Sequence, residues 1–223
     1  GRRVVCSLAP SFIADFHVHR VEELAQALCQ LGFSAVEETA VGAQLVSDAY
    51  ATAMREHQQS VLISSCCPTI NLLVQKYHPS MLPYMAKVLT PAQAHCTLLK
   101  QRDPDCYTVF IGPCIPKKQE ADARPMIDTV LTDDELRDWM ADCRVQLPEP
   151  AASEAPGMRS RFYPATGGIL KATEAVEGYR RVAIDGVENC RMVFEELERG
   201  NIRDVFIEMS ACEGSCINGP CIR

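Results

Sequence analysis

Three short apolar runs in this chain each lead into cysteine. Ser60-Val-Leu-Ile-Ser64 runs into Ser65-Cys66-Cys67-Pro68, Tyr107-Thr-Val-Phe-Ile111 into Gly112-Pro113-Cys114, and Asp204-Val-Phe-Ile207 into Cys212 and Cys216. Runs of this length read as buried strands. Loops at the carboxyl ends of strands are where open α/β sheets bind ligands. Cys212 and Cys216 are four apart, so both sulfurs can face one metal centre, and neither takes the two-residue gap of a zinc knuckle. Gly214, Ser215 and Gly219 let the backbone of that last loop approach something closely. Four thiolates, Cys67, Cys114, Cys212 and Cys216, are enough for a cubane iron-sulfur cluster. A set so scattered needs the whole fold to assemble it, so it could be built into an active site. Cys66 is left over, either as a packing residue or as a functional thiol beside the cluster; its place at a strand end favours the thiol.

The chain has twelve cysteines in 223 residues. A disulfide framework is the plain alternative to metal ligation. The chain is far larger than a disulfide mini-domain and carries much helix, which favours thiols in a reducing, cytoplasmic setting. Cys29, Cys96, Cys143 and Cys190 sit singly in helical patterns and read as small core residues. Cys6 and Cys106 carry no assigned role. A net charge of −7 argues against a nucleic-acid surface, and no apolar run is long enough to span a membrane. The opening Gly1-Arg-Arg-Val-Val-Cys reads as a first strand cut from a longer chain, not as a twin-arginine signal.

Strand and helix patterns alternate along the chain. A strand at 3–8 stops at Ala9-Pro10-Ser11. An amphipathic helix follows from Val21 to Leu31, a strand over Ser34–Thr39, and a helix from Val41 to His57. After the first cysteine pair come helices over Thr69–Tyr77 and Pro91–Leu99. The second half adds a strand over Asp128–Leu131 and a capping box, Thr132-Asp-Asp-Glu135, that opens a helix through Cys143. Gln146–Gly157 reads as a surface loop. A short helix over Ile169–Val176, a strand over Tyr179–Ile184 and a helix over Val187–Arg199 lead to the last strand. The alternation predicts an α/β fold with a largely parallel sheet.

Ser65-Cys66-Cys67-Pro68, Pro113-Cys114-Ile-Pro-Lys117-Lys118-Gln-Glu120 and Glu208-Met-Ser-Ala-Cys212-Glu-Gly-Ser-Cys216 resemble the three signature motifs of the iron-only (FeFe) hydrogenases, in the family's order. The resemblance implies two lobes of mixed, largely parallel sheet flanked by helices, about residues 1–105 and 106–223, with the metal cluster between them. It implies an H-cluster: a 4Fe-4S cubane joined to a diiron subcluster that carries CO, cyanide and a bridging azadithiolate. Cys67, Cys114, Cys212 and Cys216 match the cubane ligands, and Cys216 matches the one shared with the diiron unit. Cys66 matches the thiol that exchanges a proton with the bridging amine. Lys117 matches the lysine on one cyanide, and Pro10 and Ser11 match the turn on the other. Glu120 matches a carboxylate on the helix after the second motif; Lys118 reads as a solvated lysine.

Two departures stand out. Catalytic members of the family carry methionine where this chain has Gly112 and Ser210, which exchanges apolar bulk for space and a hydroxyl. The family's outward proton relay uses two glutamates and a serine, where this chain aligns Tyr50, Ala53 and Ala86. These departures resemble the sensory branch of the family. The resemblance implies reversible hydrogen oxidation and proton reduction, slow and used for hydrogen sensing in an anaerobic cell. Implied partners are hydrogen and protons, a ferredoxin-type electron donor or accessory iron-sulfur domain, and maturation proteins, with no nucleic acid and no membrane. Two other expectations stay open: a high-turnover FeFe hydrogenase with a variant proton path, and a non-catalytic 4Fe-4S assembly protein of the hydrogenase-like family. The assembly proteins generally lack the cysteine that matches Cys66.

Overall fold

The computed structural model describes residues 1–56, 59–148 and 157–223. In chain order the elements are β1 (Val4–Leu8), α1 (Phe12–Asp15), α2 (Val21–Gln30), β2 (Ala35–Glu38), α3 (Ala40–Arg55), β3 (Val61–Ile63), α4 (Pro68–Tyr77), α5 (Pro91–Arg102) and β4 (Tyr107–Gly112). They continue with α6 (Pro116–Asp122), β5 (Thr129–Thr132), α7 (Asp133–Asp142), α8 (Gly168–Ala172), β6 (Arg180–Asp185), α9 (Val187–Glu198) and β7 (Val205–Ser210). His57 and most of the Gln146–Gly157 loop lie outside the described residues.

The strands form two sheets, ordered β2-β1-β4-β5 and β3-β7-β6. The expectation of mixed sheets gives way to a simpler result: every strand pairing among the described residues is parallel. Parallel neighbours need crossover connections, and the helices between strands supply them. The sheets also interleave in sequence. β4 and β5 join β1 and β2, while β3 pairs with β7, so a boundary near residue 105 does not separate them. Pairing of strands distant in sequence leaves no local trace.

Each sheet is covered on both faces. In the second sheet Val61, Ile63, Val205, Ile207 and Met209 face Ile70 and Val74 of α4 and Phe194 and Leu197 of α9. Leu62 and Phe206 point the other way, onto Tyr50 and Met54 of α3. That alternation is the two-residue period of a strand. In the first sheet Leu8, Val109 and Ile111 pack on Leu24 and Leu28 of α2 and Leu136 of α7. The capping box at α7 forms as its spacing predicts: the Glu135 N–H donates to Thr132 Oγ1 at 3.2 Å, and the Thr132 N–H donates to Glu135 Oε2 at 2.8 Å.

Some local expectations shift. The single turn α1 follows the Ala9-Pro10-Ser11 stop, where no helix was expected. Of the four cysteines read as core, Cys96 and Cys190 are buried, but Cys29 and Cys143 are exposed. Cys29 sits next to the end of α2 and off its Leu24–Leu28 stripe, and Cys143 ends α7, so each has left the buried face.

Candidate metal centre

The carboxyl ends of β1, β3, β4 and β7 open onto one cavity of about 120 Å³ between the two sheets. Cys67 reaches it as the residue capping α4, with Pro68 in the first helical turn. Proline fits there because its missing N–H would have no helical partner. Cys114 reaches it from the turn between β4 and α6, and Cys212 from the end of β7. Gly214 and Ser215 both take positive φ, +75° and +66°, which turns the chain so that Cys216 faces the same space. A side chain at Gly214 would also collide with Asn218, at 2.3 Å.

The structure thus brings the four expected ligands to one site. Among the described residues, no three of His, Cys, Asp and Glu are placed to hold a single metal ion. A cubane asks for something else, since each of its four irons takes its own thiolate. Burial pushes the Cys114 thiol up to about 12 and raises Cys212 and Cys216 as well. The thiols also raise one another: Cys216 feels Cys67, Cys114 and Cys212. Four thiols that repel as thiolates suit a cationic cluster, whose charge stabilises the deprotonated form. The donor set fits a 4Fe-4S cubane.

Other expected residues line the same cavity: Cys66, Pro10, Ser11, Lys117 and Ser210. Lys117 Nζ is buried and bonds both Glu120 oxygens, at 2.9 and 2.8 Å. Burial is the largest influence and would lower the Lys117 pKa; attraction to Glu120, Cys114 and Cys66 outweighs it, so the net shift is upward and the cation persists. Glu120 therefore is not a helix-surface acid, and it also accepts from the Thr90 hydroxyl. Lys118 is exposed and pairs with Glu135, as a solvated lysine should.

Behind Cys66 on another wall, Tyr50 Oη lies 3.1 Å from Cys66 Sγ and accepts the Ser65 N–H at 2.9 Å. Burial pushes the Cys66 thiol up to about 12, despite opposing help from Tyr50 and Lys117, and raises the Tyr50 phenol too. Ala53 and Ala86 pack in the same cluster as Tyr50 and Cys66. The expected space at Gly112 is absent. A Cβ there would lie 2.8 Å from the Ala9 Cβ and 3.0 Å from the Phe110 ring. Phe110 is on the cavity wall and Gly112 is not. Ser210 does lie on it, 7% exposed.

Sequence reasoning assigned no role to Glu208, Tyr163, Thr39 or Phe110, all on the cavity wall. Glu208 accepts the Gly167 and Leu170 N–H groups at 2.9 and 3.0 Å, tying β7 to α8. An acid inside a buried strand was its available signal. Tyr163 bonds the Ser47 hydroxyl at 2.8 Å, and nothing in its local sequence marks it.

The sequence matches the C-terminal domain family of the iron only hydrogenase large subunit over residues 2–220. It is 26% identical to iron hydrogenase 1 of Clostridium pasteurianum, in an alignment covering 98% of this chain and 50% of that protein. It is 37% identical to the cytosolic Fe-S cluster assembly factor NAR1 of Kluyveromyces lactis, over 39% of this chain and 19% of that protein. The chain spans no more than about half the length of these relatives. Among solved structures, the FeFe-hydrogenase HydA1 of Chlamydomonas reinhardtii superposes with a TM-score of 0.77 at 21% identity, covering 100% of this chain and 80% of that one. The fold is thus the FeFe-hydrogenase fold, of two parallel sheets flanked by helices. With the family's match running across every residue that builds the cavity, the chain belongs to the C-terminal domains of the iron-only hydrogenase large subunits.

Proposed function

We propose that this domain holds an H-cluster and interconverts hydrogen with protons and electrons, slowly, as a hydrogen-sensing element. The observation that carries this reading is the cavity itself: four thiols, a buried Lys117 cation and the Cys66 thiol share one enclosed space. Cys67, Cys114, Cys212 and Cys216 would hold the cluster. When bound, the cluster supplies the iron at which hydrogen is split or formed, together with a store for electrons.

The chain's own residues do the rest. Lys117, kept charged by Glu120, offers a buried cation to an anionic ligand. Cys66 stays protonated at neutral pH because burial raises its pKa, so it can donate a proton and take it back. Its neighbour Tyr50 is also protonated and buried, a poor stand-in for a carboxylate. Ala53 and Ala86 carry no proton at all. This points to slow proton exchange at Cys66, which suits a sensor that follows hydrogen pressure. Phe110 and Ser210 give the cavity wall a different polarity from a pair of methionines. Electrons would come from a ferredoxin-type donor or an accessory iron-sulfur domain, and cluster loading from maturation proteins. Among the described residues no helix is long and apolar enough to cross a membrane.

The test is to mature the protein, record its infrared spectrum and assay hydrogen evolution with a strong reductant. CO and cyanide bands with slow turnover are expected. Turnover at the level of a high-flux hydrogenase would defeat the sensing role and favour a catalytic enzyme with a variant proton path. The similarity to the NAR1 assembly factor favours a second reading, a cubane-binding protein without a diiron unit. A loaded cubane with no CO or cyanide bands would establish that reading instead.

A further inference from the structure

A second route leaves the cavity wall at a place the signature motifs do not touch. Thr39, which caps α3, lines the cavity. Its Oγ1 lies 2.7 Å from Ser7 Oγ on β1, and Ser7 Oγ lies 2.8 Å from His95 Nδ1 on α5. His95 is fully buried, and its Nε2 makes no hydrogen bond. That nitrogen faces Glu37 Oε2 at 3.6 Å, and the Glu37 side chain is 35% exposed. Glu37 also accepts from Arg102 at 2.7 Å, which fixes the carboxylate at the surface.

We propose that Glu37, His95, Ser7 and Thr39 form a proton-conducting line between solvent and the cluster cavity; this rests on the H-cluster reading above. A packing role alone explains the line poorly. An unpaired buried nitrogen is costly, and an apolar side chain of similar size would avoid that cost. The base of the side chain is also closely packed: a Cβ on Gly42 of α3 would lie 2.7 Å from the His95 Cβ, so α3 and α5 press together at this point. Burial lowers the His95 pKa against the pull of Glu37, which favours a neutral ring. A neutral imidazole has one donor and one acceptor nitrogen, the pair a relay needs.

The proton count closes without breaking any heavy-atom bond. Outward, a proton reaching Thr39 Oγ1 releases the Thr39 hydroxyl proton to Ser7 Oγ. The Ser7 proton passes to His95 Nδ1, and the Nε2 proton passes to Glu37 and on to water. The ring ends neutral in its other tautomer and must reorient before a second proton moves the same way; the reverse order carries a proton inward. A small shift of the Glu37 carboxylate, within its pairing to Arg102, closes the 3.6 Å gap. By contrast, the described hydrogen bonds from Cys66 run to Tyr50 and Ser65 and end on the Val88 carbonyl, so in this proposal a proton leaving Cys66 exits through Thr39 on the same cavity and the two act in series.

The experiment compares the matured wild type with Thr39→Val and Glu37→Gln. Valine keeps the volume of threonine and removes the hydroxyl. Thr39→Val is expected to keep the CO and cyanide bands and lose about a hundredfold in hydrogen turnover. Glu37→Gln, on the surface, is expected to lose turnover with no change in melting temperature. In the apoprotein, 15N resonances of His95 are expected to show a neutral ring whose tautomer ratio shifts in Glu37→Gln. Turnover within about twofold of wild type in both variants, with bands intact, would overturn the relay and leave the H-cluster reading standing, since losing an acid-base group costs far more than that. So would a ring locked in one tautomer in every protein. Absence of CO and cyanide bands from the matured wild type would overturn both.

Discussion

Two walls of the cavity, with the residues that back them, hold proton-bearing groups in opposite states. On one, Lys117 and Glu120 lie within 2.9 Å of each other, both side chains under 10% exposed, as an ion pair. On the other, Cys66, Tyr50 and Tyr163 are each pushed toward the neutral form by burial. The difference is the partner. A buried charge survives only when an opposite charge and hydrogen bonds replace its water. Cys66 is hydrogen-bonded to a phenol, and the pull of Tyr50 and Lys117 does not offset its burial, so its proton stays. One wall is built to present charge and the other to hold protons.

The largest expected effect falls on what both walls share. Cys67→Ala, Cys114→Ala, Cys212→Ala or Cys216→Ala should each abolish stable cubane binding, read as iron and sulfide content, while Cys190→Ala should leave loading unchanged. Full loading in Cys114→Ala would remove the site on which the comparison stands.

The next effect separates the walls. Cys66→Ala should keep iron and infrared bands yet lose roughly a hundredfold to ten-thousandfold in hydrogen turnover, the usual cost of losing an acid-base group. Loss of iron in this variant would make Cys66 a ligand and not a proton carrier. Ala53→Glu with Ala86→Ser asks whether that wall limits the rate; turnover should rise.

Glu120→Gln should strand a buried cation and destabilise the apoprotein by about 3–5 kcal/mol in denaturant titration. A cost no larger than that of an exposed pair such as Lys118–Glu135 would show that the charged wall is wetter than its geometry implies.

Asp133 sharpens the rule. It is 1% exposed with no hydrogen bond to either side-chain oxygen, and burial, aided by Asp15, pushes its pKa up to about 8. Its folded pKa lies above the unfolded value, so the stability it contributes is full below about pH 4 and lost as pH rises through about 8. Between about pH 5 and pH 7 wild type should lose about 2–3 kcal/mol relative to Asp133→Asn. Parallel pH profiles would mean that Asp133 finds a partner cation in solution.

The smallest effect tests the neutral wall alone. Tyr50→Phe leaves the Ser65 N–H without its acceptor and should cost about 1–3 kcal/mol, with the cluster bands retained.

Much of this was legible in local pattern. The strand runs, the capping box at Thr132 and the cysteines at strand ends are short-range features, set by side-chain period and by a few neighbouring residues. Cys67, Cys114, Cys212 and Cys216 could be picked out because each follows closely on a strand. Gly112 shows where such reading stops. The sequence shows a missing side chain, and only the fold shows that Phe110 and Ala9 fill the place. Cys29 and Cys143 share the spacing of core cysteines, yet helix rotation and helix ends leave them in solvent.

The sequence by itself determined which groups are present and where along the chain β3, β4 and β7 deliver thiols. Tertiary structure alone decided the interleaving of the two sheets, because parallel partners such as β3 and β7 lie far apart in the chain. It also decided ionisation and connection. Whether Glu120 is an ion-pair partner or a surface acid, and whether Ser7, Thr39 and His95 touch at all, depends on packing between elements. Burial and opposite charge act over a few ångströms in space, and distance along the chain carries no record of them.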